Sequence, residues 1–357
     1  MVVGLFMNTS ILNTDDNYEE LEANFDVSLP KCPSAPLVAV AKSHLSIERL
    51  LESKDAISTV RRLIGVYGAV LFRSLPDISP DKFQQLVGSM CEENWAIYAE
   101  IQSPRNKLSD NVFTSTEYPP SQIIQPHHEN AHRSNWPKRI FFYCSVSEMS
   151  GGATTIFDAK LVEREISKEI LHEFYKRGVR YFRSFGFGIG FSWREAYGFD
   201  TPVDAQDYFQ KNGIESDWID SERLRVWYSR PAFVKHPDTA SVIWCNNVIH
   251  YHPLTLDFAL QRALKRMIES QTTPYFSAYG DGGSIPIESI AAISTAYERV
   301  KFPVIWKAGD FLALDNIRFS HGREAFSGNR RVFVAMSDPV YRMSDSTFGI
   351  AECGYRR

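Results

Sequence analysis

His127 and Glu129 lie two residues apart near the middle of the chain, and His321 lies far downstream. Two imidazoles and one carboxylate form the ligand set that holds a non-haem Fe(II) while leaving three coordination positions open. On a β-strand, residues i and i+2 point to one side. The spacing therefore predicts that His127 and Glu129 grip one metal while His128 turns away. Arg331 follows His321, and its planar guanidinium suits bidentate capture of a carboxylate. It is expected to hold the far carboxylate of a dicarboxylic cosubstrate, which points to an Fe(II)- and 2-oxoglutarate-dependent oxygenase.

The same segment carries a rival reading. His128-Glu129-Asn130-Ala131-His132 spells H-E-x-x-H, a zinc-hydrolase signature. That chemistry requires a helix, so that both imidazoles face one ion and the glutamate acts as general base. Trp136-Pro137 cuts short any helix begun at Pro126, and no third ligand is evident. The two readings predict different backbones for the same five residues.

The elements that must position these groups follow from patterning. Ser46 to Ile64 is helical, with Leu50, Leu51, Val60 and Leu63 able to share faces. Gly65 and Gly68 flank a buried strand at Ala69 to Phe72. Ser79-Pro80 is a helix start, with proline at the first helical position. Strands are expected at 111–116, 139–146, 153–157, 241–245, 310–314 and 331–336, and helices at 161–177 and 257–270. Ser184 to Trp193 alternates Gly186, Gly188 and Gly190 with aromatics and reads as a mobile lid loop. Residues 1–38 read as a poorly ordered arm. Residues 39–357 read as one domain, with a helical insertion and lid at about 160–240. Strands, a helical insert and strands again fit a mainly β jelly-roll core with attached helices better than alternating βαβ units.

Bulk properties narrow the class. The 357 residues are 44% apolar and 13% aromatic, enough for a sizeable core. A net charge of −4 argues against a broad nucleic-acid-binding surface. The five cysteines (Cys32, Cys91, Cys144, Cys245, Cys353) form no CxxC, as expected of reduced thiols in a cytoplasmic protein. The first dozen residues are too short to span a bilayer and lack a basic flank, and no long apolar run follows. A soluble protein with no membrane partner is expected.

The stretch VFTSTEYPPSQIIQPHHENAHRSNWPKRIFFYCSVSEMSGGATTIFDA resembles the metal-binding half of the taurine dioxygenase/TfdA-like superfamily. It is similar to the branch acting in antibiotic and amino-acid-derived metabolite biosynthesis. GDFLALDNIRFSHGREAFSGNRRVFVAM resembles the second half. The resemblance runs from about Ile64 to Met336. It implies a double-stranded β-helix, cupin-like, with Fe(II), 2-oxoglutarate and O2 as cofactor and cosubstrates. His127, Glu129 and His321 match the catalytic metal ligands. Thr154, or alternatively Thr155, matches a threonine on a 2-oxoglutarate carboxylate. Alternation sends Arg330 and Arg331 to opposite faces, and the match favours Arg331.

The chain departs from the pattern at His128, where relatives often carry asparagine, at Ala153, and at Trp244-Cys245-Asn246-Asn247. These departures bear on the substrate. Arg105, Thr116, Glu117, His132 and Asn246 are the candidate substrate contacts. The implied reaction oxidises an unactivated C–H bond of an amino acid or derived small metabolite, free or tethered to a carrier protein, with release of succinate and CO2. Hydroxylation is expected. Related halogenases replace the carboxylate ligand with a small residue, and Glu129 is present.

Overall fold

The computed structural model describes residues 24–43, 45–92, 94–96, 100–101 and 105–341. A seven-stranded sheet forms the backbone of the molecule. Its spatial order is β1 (Phe25–Ser28), β2 (Leu37–Ala41), β3 (Ala69–Arg73), β15 (Asp310–Asp315), β6 (Asn135–Gly151), β17 (Phe326–Tyr341) and β4 (Val112–Thr114). A four-stranded sheet faces it, in the order β14 (Phe302–Val304), β7 (Thr154–Asp158), β16 (Phe319–Arg323) and β5 (Ile124–His127). Between them pack Phe142, Cys144, Leu312 and Val334 of the large sheet with Ile156 and Phe319 of the small one.

The other face of the large sheet is buried as well. Phe141, Tyr143, Phe311, Phe333 and Ala335 pack against Val60, Ile64, Phe83 and Leu86. Those residues lie on the helices Lys54–Tyr67 and Pro80–Met90. The second of these starts as its sequence predicts: the Ser79 hydroxyl accepts from Lys82 N at 3.2 Å, and Pro80 needs no partner at the first position. The first ends at Gly68, whose φ of 74° is left-handed. A Cβ there would stand 2.6 Å from the Phe319 ring. Gly68 O in turn accepts from Asp315 N at 2.7 Å, which fixes the end of β15 beside the future site.

Residues 159–300 build a second lobe. Its sheet has the order β13 (Tyr275–Tyr279), β8 (Val179–Phe185), β10 (Leu224–Arg230) and β9 (Glu215–Trp218). Beside it lie the hairpin β11 (Phe233–Lys235) with β12 (Val242–Trp244), and the helix Ile287–Val300. Its core is aromatic: Phe174, Trp193, Trp244, Tyr181 and Tyr228 are all essentially inaccessible.

Several expectations change. The insertion is a sheet layered with helices, because β8, β9 and β10 were not legible as strands. Of the expected arm, residues 1–23 lie outside the described residues. Phe25–Ser28 pairs with Leu37–Ala41 as the sheet edge, and Phe25 is buried against Phe72. The three long helices are each interrupted. Ser53 separates Ile47–Glu52 from Lys54–Tyr67 by capping the second, and Ser167 does the same for Lys168–Arg177. Leu264 breaks the third, between Phe258–Ala263 and Lys265–Glu269. No helix among the described residues is long and apolar enough to cross a membrane. Cys32, Cys91, Cys144 and Cys245 are free thiols, and Cys353 lies outside the described residues.

Candidate active site

The site forms where β5 and β16 pair. His127 is the last residue of β5 and stands directly opposite His321. Their rings are 4.4 Å apart. This approach depends on Gly322, where a Cβ would sit 2.6 Å from Ile124 O and 2.9 Å from Thr155 Oγ1. Glu129 is not on the strand. It lies in a tight turn in which Asn130 takes φ 59°, yet its carboxylate swings back to the histidines. Glu129 Oε2 stands 3.9 Å from His127 Nε2 and 3.8 Å from His321 Nε2. One ligand atom from each of the three lies within 4.8 Å of the others.

Two asparagines hold this turn by standing in for backbone. Asn316 Oδ1 accepts from Glu129 N at 2.8 Å, and its Nδ2 donates to Glu129 O and Pro137 O at 3.1 and 2.8 Å. Asn247 Oδ1 accepts from His128 N at 2.8 Å while its Nδ2 donates to His128 O at 3.0 Å. With these carbonyls and amides satisfied, an irregular segment is stable inside the protein. The same turn removes the zinc-hydrolase reading. Residues 128–132 are not helical, His128 faces Asn316 O at 2.7 Å, and His132 points into an aromatic layer beside Tyr228.

The protonation states suit a cation. Burial, then His321 and His250 nearby, hold His127 well below the ordinary histidine range. Burial, then Arg105, pulls His321 down to about 3. Both imidazoles are therefore neutral and able to donate a lone pair. The Gln125 carbonyl stands 2.9 Å from His127 Nδ1, so Nδ1 carries the proton and Nε2 presents its lone pair to the cluster. Burial alone would raise the Glu129 carboxyl, but Arg105 and His127 outweigh it and keep the group ionised. Two neutral nitrogens and one carboxylate, buried and convergent, fit a divalent iron.

Beside the cluster a cavity is lined by Arg105, Thr116, His127, Thr154, His321 and Arg330. Arg330 donates to Ser115 Oγ at 3.0 Å, to Gly152 O at 3.2 Å and to Thr154 Oγ1 at 3.4 Å. Thr154 also accepts from Trp306 Nε1 at 2.9 Å. Burial, then the neighbouring Arg323, lowers Arg330 to about 10, so it remains a cation. Arg331 does not face this cavity. It is exposed, its guanidinium lies over Phe333, and the expectation that it enters the barrel is corrected to Arg330. On β17, Val332, Val334 and Met336 point between the sheets. Alternation then places Arg330 with them. The irregularity nearby leaves this parity intact, since the extra residue, Ser145, lies on β6.

The substrate candidates divide. Arg105 and Thr116 line the cavity, and Arg105 Nη2 donates to Glu129 Oε2 at 3.0 Å. Glu117 is exposed and accepts from Asn106 and Thr114. Asn246 is committed to the backbone, donating to Ala232 O and accepting from Val248 N. His132 is buried next to Glu100. Glu117, Asn246 and His132 are thus not on the cavity wall. Sequence reasoning missed Asn316, Arg330 and also His250, whose ring stacks 4.6 Å from His127. Only Arg330 had a sequence signal, as the neighbour of Arg331.

Comparison with known proteins bears on the same residues. The taurine catabolism dioxygenase TauD, TfdA family profile matches residues 33–336. The dapdiamide synthesis protein DdaC of Enterobacter agglomerans is 34% identical over 309 residues, covering 87% of this chain and 92% of that protein. A clavaminate synthase-like protein of Arabidopsis thaliana is 26% identical over 280 residues, covering 75% and 81%. Among solved structures, PvcB of Pseudomonas aeruginosa shares the fold with a TM-score of 0.53 at 13% identity, over 88% of this chain and 91% of that one. The family match spans most of the chain and includes both halves of the site. This protein belongs to the TauD/TfdA family of non-haem iron, 2-oxoglutarate-dependent oxygenases, with O2 as oxidant.

Proposed function

We propose that the protein hydroxylates an aliphatic C–H bond of an amino acid or amino-acid-derived small metabolite in specialised metabolism. The substrate is free or carrier-bound. His127, Glu129 and His321 hold the iron in this reading. The two facing sheets form a jelly roll whose interior holds the site. The observation that carries it is the meeting of that cluster with Arg330 and Thr154 in one cavity. The similarity to a dapdiamide synthesis protein supports the choice of substrate class.

Each residue then has a task. When bound, the iron supplies the redox chemistry that couples 2-oxoglutarate decarboxylation by O2, yielding succinate and CO2, to substrate oxidation. Arg330 and Thr154 bind the distal carboxylate of 2-oxoglutarate and so fix which way it enters. Bidentate recognition by a guanidinium suits that carboxylate. Asn316 and Asn247 keep the Glu129 turn rigid, so the carboxylate needs little reorganisation to receive the ion. Arg105, at the cavity wall, is placed to bind an anionic or carbonyl group of the substrate. Glu129 fills the position that a halide requires, which favours hydroxylation over halogenation.

An anaerobic titration with Fe(II) and 2-oxoglutarate tests the assignment. A weak visible charge-transfer band is expected in the wild type, absent in His127→Ala and weakened in Arg330→Ala. A band of unchanged strength in both variants sinks the site assignment. Succinate release on a panel of amino acids and their derivatives then tests the substrate class. No substrate-stimulated release from any of them would discard it.

A further inference from the structure

Two residues, Glu100 and Ile101, are fastened into the second lobe by several polar contacts. The Glu100 carboxylate is only 3% exposed. It accepts from Tyr208 OH and Tyr228 OH, both at 2.8 Å, and from Arg133 Nε at 3.3 Å. Its backbone sits at φ 54°, a left-handed conformation that a residue with a side chain adopts uncommonly. Ile101 is held at both backbone atoms: its N–H donates to Ala196 O at 2.8 Å, and its carbonyl accepts from Arg183 Nη2 at 2.7 Å. Arg183 is itself buried, with its guanidinium near the rings of Phe185, Tyr197 and Tyr275.

These partners come from four separate parts of the lobe, with donors on β8, β10 and the helix Pro202–Lys211 and the acceptor Ala196 O on the helix Trp193–Tyr197, while Arg133 donates from the turn after Glu129. A buried carboxylate carries a desolvation cost that hydrophobic residues of similar shape avoid. Its retention here needs a positional reason. That reason lies a few residues on. Arg105 follows Ile101 closely enough that the intervening chain spans at most ~14 Å. Its guanidinium reaches Glu129 Oε2 at 3.0 Å and Thr116 Oγ1 at 3.2 Å. Fixing Ile101 therefore confines where Arg105 can range.

We propose that Glu100 and Ile101 are the fastening by which the second lobe positions Arg105 against the Glu129 carboxylate. Glu100 is then a positioning residue of the metal site, although it touches none of the cluster residues assigned to the iron. The inference rests on the reading of His127, Glu129 and His321 as metal ligands. It adds that the lobe sets the cation beside one of those ligands.

Mn(II) alone, titrated into the metal-free full-length protein and followed by the loss of its free-ion EPR signal, tests this. Removing a cation beside a carboxylate ligand should tighten divalent-ion binding. Arg105→Ala is expected to lower the Kd about tenfold, and Glu100→Gln at least ~3-fold in the same direction. The decisive reading is the double variant. If Glu100 acts through Arg105, Glu100→Gln has no further effect in the Arg105→Ala background. An additive effect there, or an unchanged Kd in either single variant, overturns the proposal. Tyr208→Phe removes one donor and covers the case in which Glu100→Gln does not fold. It is expected to shift the Kd about twofold, and only when Arg105 is present. Wild-type protein that binds no Mn(II), or a His127→Ala variant that binds it equally well, is a separate result. It removes the ligand reading itself and the proposal with it.

Discussion

The two-sheet core and the second lobe solve different problems. In the core, both histidines of the site are set by strand register: His127 faces His321 across one ladder, and Arg323 faces Thr154 across the next. Positions there follow from counting along paired strands. In the lobe, placement comes from side chains of distant elements meeting in an aromatic layer. Tyr208, Tyr228 and Arg183 of the lobe, joined by Arg133 of the turn after Glu129, converge on two residues of a chain segment that belongs to neither sheet. The difference teaches that strand register can place the two histidines, while Glu129 and the groups around Glu100 are held by long-range polar contacts.

The most damaging change to the core side of this contrast is His321→Ala. Loss of one of the three proposed ligands should abolish stoichiometric Fe(II) binding and cut turnover by about 10³-fold or more, a loss of ~4 kcal/mol. Metal analysis and succinate formation read both. Retention of one equivalent of tightly bound iron would break the register argument at its root.

Next comes a test that the apolar packing of the lobe serves stability and not the chemistry. Phe174 is fully buried between Trp244 and Tyr279. Phe174→Ala should cost about 3–5 kcal/mol of stability, seen in urea denaturation. The Fe(II)·2-oxoglutarate band of the remaining folded protein should be unchanged. A band lost in proportion to nothing but this substitution would show the two regions to be one unit.

Arg330→Ala and Arg331→Ala sharpen the comparison within a single strand. Truncating the buried arginine should raise the 2-oxoglutarate KM by roughly 30–100-fold, equivalent to about 2–3 kcal/mol. The exposed neighbour should change it less than about threefold. Equal effects, or the reverse order, would reassign the face of β17.

The effect most remote from catalysis is a pH slope. Burial holds His128 at about 4 and His321 at about 3 in the folded state. The unfolded chain takes up these protons first, near 6.5. Stability of the metal-free protein should therefore fall as pH drops from about 6.5 toward 4, by ~1.4 kcal/mol per unit for each such histidine. Urea midpoints at several pH values measure this, and His128→Asn should flatten the slope. A midpoint independent of pH across that range contradicts the burial argument.

Much of the core was readable because its signals are local. Ser79-Pro80 names a helix start by its own chemistry; Gly68, read only as flanking the next strand, also closes the helix before it. The strand around Ala69–Phe72 is a short apolar run flanked by glycine. The three residues proposed to hold the metal do converge, although not for the local reason their spacing suggested. His127 and Glu129 do not share a strand; the carboxylate returns through a turn that Asn316 and Asn247 hold. Asn316 carried no such signal, because an asparagine that replaces backbone partners looks like any loop asparagine. The lobe was least legible. Strands β8 to β10 mix arginine, serine and glutamate with aromatics, and the buried Arg183 finds its acceptor, Ile101 O, only in three dimensions.

The sequence by itself determined which atoms are available: two imidazoles, a carboxylate, two adjacent arginines and the order in which the chain presents them. It also determined the family, since both motifs survive in their expected order. Only the tertiary structure decided which arginine faces the cavity. Val332 to Met336 are buried on both sides of their sheet, so the period-2 pattern that would mark an inner face is absent. The parity of β17 is set by the layers packed above and below it, and that information lies in residues far away along the chain.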